Sequence, residues 1–178
     1  MLESFLFEIP DYRRGQGRVY ELGHILLFSI LAILSGATSY RKTHTFIEEN
    51  YEELNGKFNL NWKRMPAYTT IRNIIQGTSG SELEHAFRAY SKEVNEVKSK
   101  RKFLGCDGKV LRGSFDNFND QKAIQIFSVF SSESRIILAH EEIAEKTNEI
   151  PTAQALMKEL GLSGYIFTFD ALHCQKKR

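Results

Sequence analysis

Two short apolar runs set far apart in the chain, Phe103-Leu104 and Tyr165-Ile166-Phe167-Thr168-Phe169, each lead to an aspartate, Asp107 and Asp170. Runs of this length and composition read as buried strands, so each carboxylate is expected at a strand end. A single aspartate in that place is ordinarily a turn or helix cap. Here both are trailed by small and basic residues, Gly108-Lys109 after the first and Ala171 to Lys177 after the second. Carboxylates at the ends of neighbouring strands can share divalent cations through hard oxygen ligands, and the adjacent bases can hold phosphates.

The segments between the two aspartates are extended before they are helical. Ala123–Phe130 and Arg135–His140 alternate as strands, separated by Ser131-Ser132-Glu133-Ser134, a hairpin-length connection. Thr147 or Asn148 then caps a helix with Pro151 in its first turn, running to about Leu160 and ended by Gly161 and Gly164. The order strand, strand, strand, helix, strand lets the first and fourth strands lie side by side.

Upstream the period is helical. Residues 1–17 carry Ile9-Pro10-Asp11 and Gly15-Gln16-Gly17, turn chemistry that predicts an extended arm. The following helix, about Arg18 to Ala37, is too densely apolar to be one-sided and is expected to be buried on most of its circumference. Its core, Ile25–Leu34, is ten residues long, about half of a membrane span. Ser39 caps a second helix to about Tyr51. After a polar segment with isolated aromatics, Asn55–Pro66, a third helix runs from Ala67 to about Gln76. It sets Thr69, Thr70, Arg72 and Asn73 opposite Ile71, Ile74 and Ile75. That helix suits the second member of a helix-turn-helix, with Arg72 and Asn73 reaching DNA, and suits equally the surface of a small bundle. Ser81 is placed to cap a fourth helix, with Leu83, Phe87, Tyr90 and Val94 on its packed face. The basic run Lys98–Lys102 marks the boundary between a helical domain, 1–97, and an α/β domain, 98–178.

A chain of 178 residues, 42% hydrophobic and 26% charged, can fold as one ordinary domain or two small ones. Its net charge of +2 excludes a polycation that coats nucleic acid by charge alone, so DNA contact must come from local patches. Three are visible: Arg13, Arg14 and Arg18; Lys98, Lys100, Arg101 and Lys102; and Lys176, Lys177 and Arg178. Each taken alone is an ordinary solvated face. Cys106 and Cys174 make no disulfide framework and no zinc spacing, which suits a reducing, cytoplasmic setting, and each is expected as small buried filler.

Taken together, Asp107-Gly108-Lys109 with Leu111-Arg112-Gly113-Ser114, Lys146-Thr147-Asn148-Glu149-Ile150-Pro151 and Asp170-Ala171 with Cys174-Gln175-Lys176 resemble the DDE-class insertion-sequence transposases, in particular the H-repeat-associated group. The first half resembles that family's associated domain through Ile9-Pro10-Asp11-x-Arg13, Leu34-Ser35-Gly36-Ala37 and Pro66 ahead of Thr69-Thr70. The resemblance implies an α+β chain: a helical transposase-associated domain, then an incomplete ribonuclease-H-like core of three antiparallel strands, a helix and a fourth strand. It implies Asp107 and Asp170 as catalytic, metal-binding acids for Mg²⁺ or Mn²⁺, and DNA contacts from Lys109, Arg112 and Lys176 besides Arg72 and Asn73. It implies DNA as partner, allows a homo-oligomer and involves no membrane. The family's third acid, a later Glu, has no counterpart, since the eight residues after Asp170 include no acid. The expected function is DNA transposition, by cleavage and strand transfer at insertion-sequence ends, with the chain as given inactive. A non-catalytic DNA-binding or regulatory remnant is the alternative, and an unrelated α/β module with capping aspartates is a third reading.

Overall fold

The computed structural model describes residues 2–95, 102–111, 114, 122–143, 149–161 and 163–169, with backbone alone at Lys102 and Glu149. The chain divides into two compact units, Met1–Tyr90 and Ser91–Arg178. The described residues hold seven α-helices and one four-stranded sheet.

The helical unit is built around α2, Leu22–Leu34. Every residue from Leu22 to Ser29 is buried, as expected of so apolar a helix, but its last turn is not: Ile33 and Leu34 are 62% and 79% exposed. The helix begins at Leu22 rather than Arg18, because a 3₁₀ turn at Gly15–Gly17 occupies the chain just before it. The longer apolar stretch Gly15–Leu34 has the length and composition of a membrane span. Its α-helical part is 13 residues whose buried side chains form the centre of this unit's core.

The expected extended arm is in part a helix, α1 (Leu2–Phe7), which buries Leu6 against α2. Turn chemistry confined to Pro10–Gly17 says nothing about the six residues before it, whose apolar spacing needs the tertiary partner to become helical. The Phe7 ring lies over Gly23 so closely that any Cβ there would overlap it. Beyond α1, Asp11 and Arg13 clasp the turn. The Arg13 guanidinium donates to both Asp11 carboxylate oxygens (2.8 and 2.7 Å) and to the carbonyls of Gly17 and Tyr20, while Arg18 donates to the carbonyls of Asp11 and Arg13. The Arg13 guanidinium holds Asp11 below the usual carboxylate range. Two members of the first basic patch are thus consumed by the fold.

Helix α3 (Tyr40–Glu49) starts as expected, with the Ser39 hydroxyl accepting from the Lys42 amide. A separate helix, α4 (Tyr51–Lys57), follows. The isolated aromatics after it are core residues: Phe58 and Trp62 stand edge-on to Phe28. Helix α5 (Tyr68–Gly77) buries Ile71 and Ile74, and α6 (Gly80–Val94) buries Ala86. At the start of α6 it is Ser79, not Ser81, whose hydroxyl accepts from a first-turn amide, that of Glu82. Gly80 is already helical, which moves the capping position one residue before it. Leu83 is 36% exposed, whereas Phe87, Tyr90 and Val94 are half-buried and the Tyr90 ring stands edge-on to Phe5, so the expected face packs except at its first residue.

The second unit is a mixed sheet in the order β3-β2-β1-β4. Strand β1 (Lys102–Val110) pairs antiparallel with β2 (Gln125–Ser131), which pairs antiparallel with β3 (Ile136–Ile143) across the turn Ser132–Arg135. Arg135 takes a left-handed φ of 56° there. Strand β4 (Tyr165–Thr168) lies parallel to β1, the neighbourhood expected from the element order. Helix α7 (Glu149–Leu160) covers one face, where Ala153 and Leu156 pack with Leu104, Cys106, Phe127 and Val129. The basic run before β1, apart from the backbone of Lys102, and the expected cap residues Thr147 and Asn148 lie outside the described residues.

Candidate active-site cleft on the open face of the sheet

Side chains alternate across a strand, so the residues of β1 divide between two faces. Leu104 and Cys106 point into the core beneath α7, and Phe103, Asp107 and Lys109 point the other way, exposed. Register carries this division across the sheet. Asp107 stands opposite Ser128 of β2, which stands opposite His140 of β3; in the next row Lys109, Ile126 and Glu142 are aligned in the same way. A third row joins Gly105 to Phe130, Ile137 and Thr168. One end of this face is polar and the other apolar.

A cleft of about 540 Å³ lies where the two meet, between Asp107, Lys109, Ser128, Phe130, Ile137 and Thr168. Gly105 leaves its floor open, since a Cβ there would have ordinary contacts only. The Thr168 hydroxyl donates to the Leu104 carbonyl at 3.1 Å, tying β4 to β1 at the cleft's edge. The Asp107 side chain is 60% exposed, with the Lys109 ammonium 3.5 Å from its Oδ2. In water such an exposed pair contributes little to stability, about 0–1 kcal/mol, so both groups are available to a ligand. Burial pushes the neighbouring Cys106 thiol up to about 11, and its side chain belongs to the core. It is the buried filler that the composition suggested. Cys174 lies outside the described residues.

The sheet thus brings Asp107 and Lys109 together, with Asp107 inside β1, whose pairing runs on to Val110, rather than at the strand end expected for it. Arg72 and Asn73 belong to the helical unit, both exposed on α5. Asp170, Arg112 and Lys176 lie outside the described residues. Sequence reasoning missed Ser128 and His140, which share a row with Asp107. Their signal was the hairpin: once the turn at Ser132–Arg135 is placed, two-residue periodicity sets them on the Asp107 face. His140 is two strands from Asp107, about 10 Å at ordinary strand spacing, so the two do not meet in one coordination shell. No group of three or more His, Cys, Asp or Glu among the described residues could hold a metal ion. The described side-chain oxygens at the cleft are one carboxylate, Asp107, and the hydroxyls of Ser128 and Thr168, fewer than a hard cation needs, so they do not make a cation site by themselves.

The helical unit matches, over residues 4–91, the family model described as DDE_Tnp_1-associated. Among curated proteins, "Putative transposase YncI" of Escherichia coli O157:H7 is 31% identical over 98% of this chain and 44% of its own length. The protein of the same name in strain K12 is 30% identical over 98% of this chain and 70% of its own. "H repeat-associated putative transposase YhhI" of strain K12 is 31% identical over 94% of this chain and 44% of its own. The chain belongs to the H repeat-associated group of DDE-class insertion-sequence transposases. It spans about 44% of the length of the first of these relatives. No solved structure matches it.

Proposed function

We propose that this chain serves DNA transposition, carrying the first part of a ribonuclease-H-like core in which Asp107 and Asp170 hold a divalent cation for phosphodiester cleavage and strand transfer at insertion-sequence ends. The observation that carries the reading is the parallel register of β1 and β4. Tyr165 lies opposite Lys102 and Thr168 opposite Gly105, an offset of 63 positions, and Asp170 follows Asp107 by the same 63. Adjacent strands lie about 4.8 Å apart, within which two carboxylates can share one ion. When bound, Mg²⁺ or Mn²⁺ supplies the charge that activates a water or 3′-hydroxyl and steadies the leaving oxygen. The chain's own groups position the substrate. Lys109, exposed beside Asp107, supports a role in holding the phosphate backbone, and Arg112 and Lys176 are assigned the same role from their motifs. In the helical unit, Arg72 and Asn73 contact DNA from α5.

Two acids do not complete the three-carboxylate set of this chemistry, so the 178 residues by themselves are expected to bind the cation weakly and to leave DNA uncut. Cleavage requires a third carboxylate from outside them. The test is site-resolved Mn²⁺ broadening of amide resonances in the whole chain. Broadening centred on Gly105–Gly108 and on Thr168–Asp170, lost in Asp107→Asn and in Asp170→Asn, is the expected outcome. Broadening that survives both substitutions refutes the cation site. Fusing the chain to the remaining length of a relative should then restore Mn²⁺-dependent nicking that Asp107→Asn abolishes.

A further inference from the structure

In the helical unit the arginines fall into two kinds. Arg13, Arg18 and Arg88 are paired with Asp11 or Glu84. Arg14, Arg41, Arg64 and Arg72, with Lys63, are exposed and have no carboxylate partner among the described residues. Lys42 and Lys57 are likewise exposed, and Arg41, Lys63, Arg64 and Arg72 are the cations that lie on α5, on the loop before it or against its first residue. The Arg41 guanidinium lies over the ring of Tyr68, the first residue of α5, 5.5 Å from its centroid. Arg72 is one turn further along the same helix. Lys63 and Arg64 sit on the loop leading into it, between two anchors. On one side the Trp62 ring packs edge-on to Tyr20 and Phe28 while its carbonyl accepts from the Tyr51 hydroxyl at 2.7 Å. On the other the Met65 carbonyl accepts from the Tyr20 hydroxyl and Pro66 is fully buried. The two cations are therefore presented by a fixed loop.

The exposed face of α5 is a single stripe, Thr69, Arg72, Asn73 and Gln76, at spacings of three, one and three residues, with Ile71 and Ile74 buried behind it. It carries no acid. A narrow polar helix face with donors and acceptors at its centre and cations at its entry has the layout of a helix that lies in a duplex groove, where phosphates position the protein and side-chain amides meet base edges. The cation-π contact holds the Arg41 guanidinium at the start of α5, and its side chain remains exposed.

We infer that Arg41, Lys63, Arg64 and Arg72 form a phosphate clamp for double-stranded DNA and that Asn73 and Gln76 face the groove between the clamped strands. This rests on the transposition reading and extends it from Arg72 and Asn73 to a defined surface of the helical unit. The test is fluorescence anisotropy of the whole chain with a labelled 20-base-pair duplex and with a single strand of the same length, as a function of salt. Each phosphate contact contributes about 0.9 to the slope of log affinity against log salt. Replacing all four cations by alanine should lower duplex affinity at least tenfold and reduce that slope by about 3 to 4. Asn73→Ala with Gln76→Ala should weaken duplex binding and leave the slope alone. All six side chains are exposed, so circular dichroism should be unchanged and the melting temperature should fall by no more than the loss of the Arg41–Tyr68 contact. An unchanged slope in the fourfold variant, no duplex binding by the parent chain, or equal affinity for the single strand each overturns the clamp. Failure of the transposition chemistry is read separately, from Mn²⁺ broadening at Asp107, which belongs to the other unit.

Discussion

The Tyr12 hydroxyl donates to the carbonyl oxygens of Asn73 and Ile74, at 3.0 and 3.1 Å, and Gly77 stands where any Cβ would overlap the tyrosine ring and hydroxyl. The N-terminal segment thereby joins the Thr78 hydroxyl on the Ile74 carbonyl and ties itself to the last turns of the helix that carries the exposed polar stripe.

Tyr12→Phe should cost about 1 kcal/mol, the net value of the hydrogen bonding it removes. Gly77→Ala should destabilise the helical unit by about 1–2 kcal/mol in the parent chain, because Tyr12 must leave its seat. In a Tyr12→Ala background the same change should become neutral or stabilising, by up to about 1 kcal/mol, since alanine is the better helix former. Urea unfolding of the four proteins reads the coupling. Additive effects would show that Tyr12 and Gly77 do not interact.

Asp11 is held below the usual carboxylate range by the Arg13 guanidinium, with Arg18 contributing. A carboxyl whose folded-state pKa lies below its unfolded value of about 3.9 adds stability that is complete above that value and is lost as pH falls through the folded one. Asp11→Asn should therefore cost about 1.5–3 kcal/mol at neutral pH, the range for hydrogen bonds to a charged group. The difference from the parent chain should shrink below about pH 4 and close in stronger acid. Thermal melts across pH 2–7 check this, and a pH-independent difference would assign the loss to shape alone.

Cys106 lies in the core beneath α7, and burial pushes its thiol up to about 11. At pH 8 only about one in a thousand such thiols is ionised. In a Cys174→Ser chain an aromatic disulfide reagent should modify Cys106 orders of magnitude more slowly than in urea. A fast reaction in the folded state would contradict its burial.

Leu156 is 1% exposed and seals α7 onto the sheet. Leu156→Ala should cost about 2–5 kcal/mol through lost burial and the cavity left behind. The measurement is the unfolding of the sheet unit, followed by exchange of β2 amides. Its effect on the cleft is indirect, because Leu104 and Cys106, on which α7 packs, alternate along β1 with the residues of the Asp107 face.

Elements whose partners are close in the chain are legible in the amino-acid sequence itself. The Ser39 cap, the stretch of α5 and the glycines closing α7 rest on local backbone chemistry, and the fold places them there, while the hairpin expected at Ser131–Ser134 turns one residue later, at Ser132–Arg135. The neighbourhood of β1 and β4 followed from element order, since a strand returning through a helix pairs in parallel within the sheet. Where side chains find partners far along the chain, local signals failed. Leu2–Phe7 is a helix that buries Leu6 in the core built on α2 and lays the Phe7 ring over Gly23, partners the local sequence does not show. Phe58 and Trp62 look isolated in sequence and are core residues because they meet Phe28. Arg13 and Arg18 belong to a basic run whose partner, Asp11, only the fold shows, whereas Arg41 reaches Tyr68 at the start of α5 only when α3 and α5 pack. Charge and apolarity are properties of residues, and a chain states them in full. Whether a given charge is spent within the fold or left for a ligand depends on which distant side chain arrives beside it, and that is settled by packing.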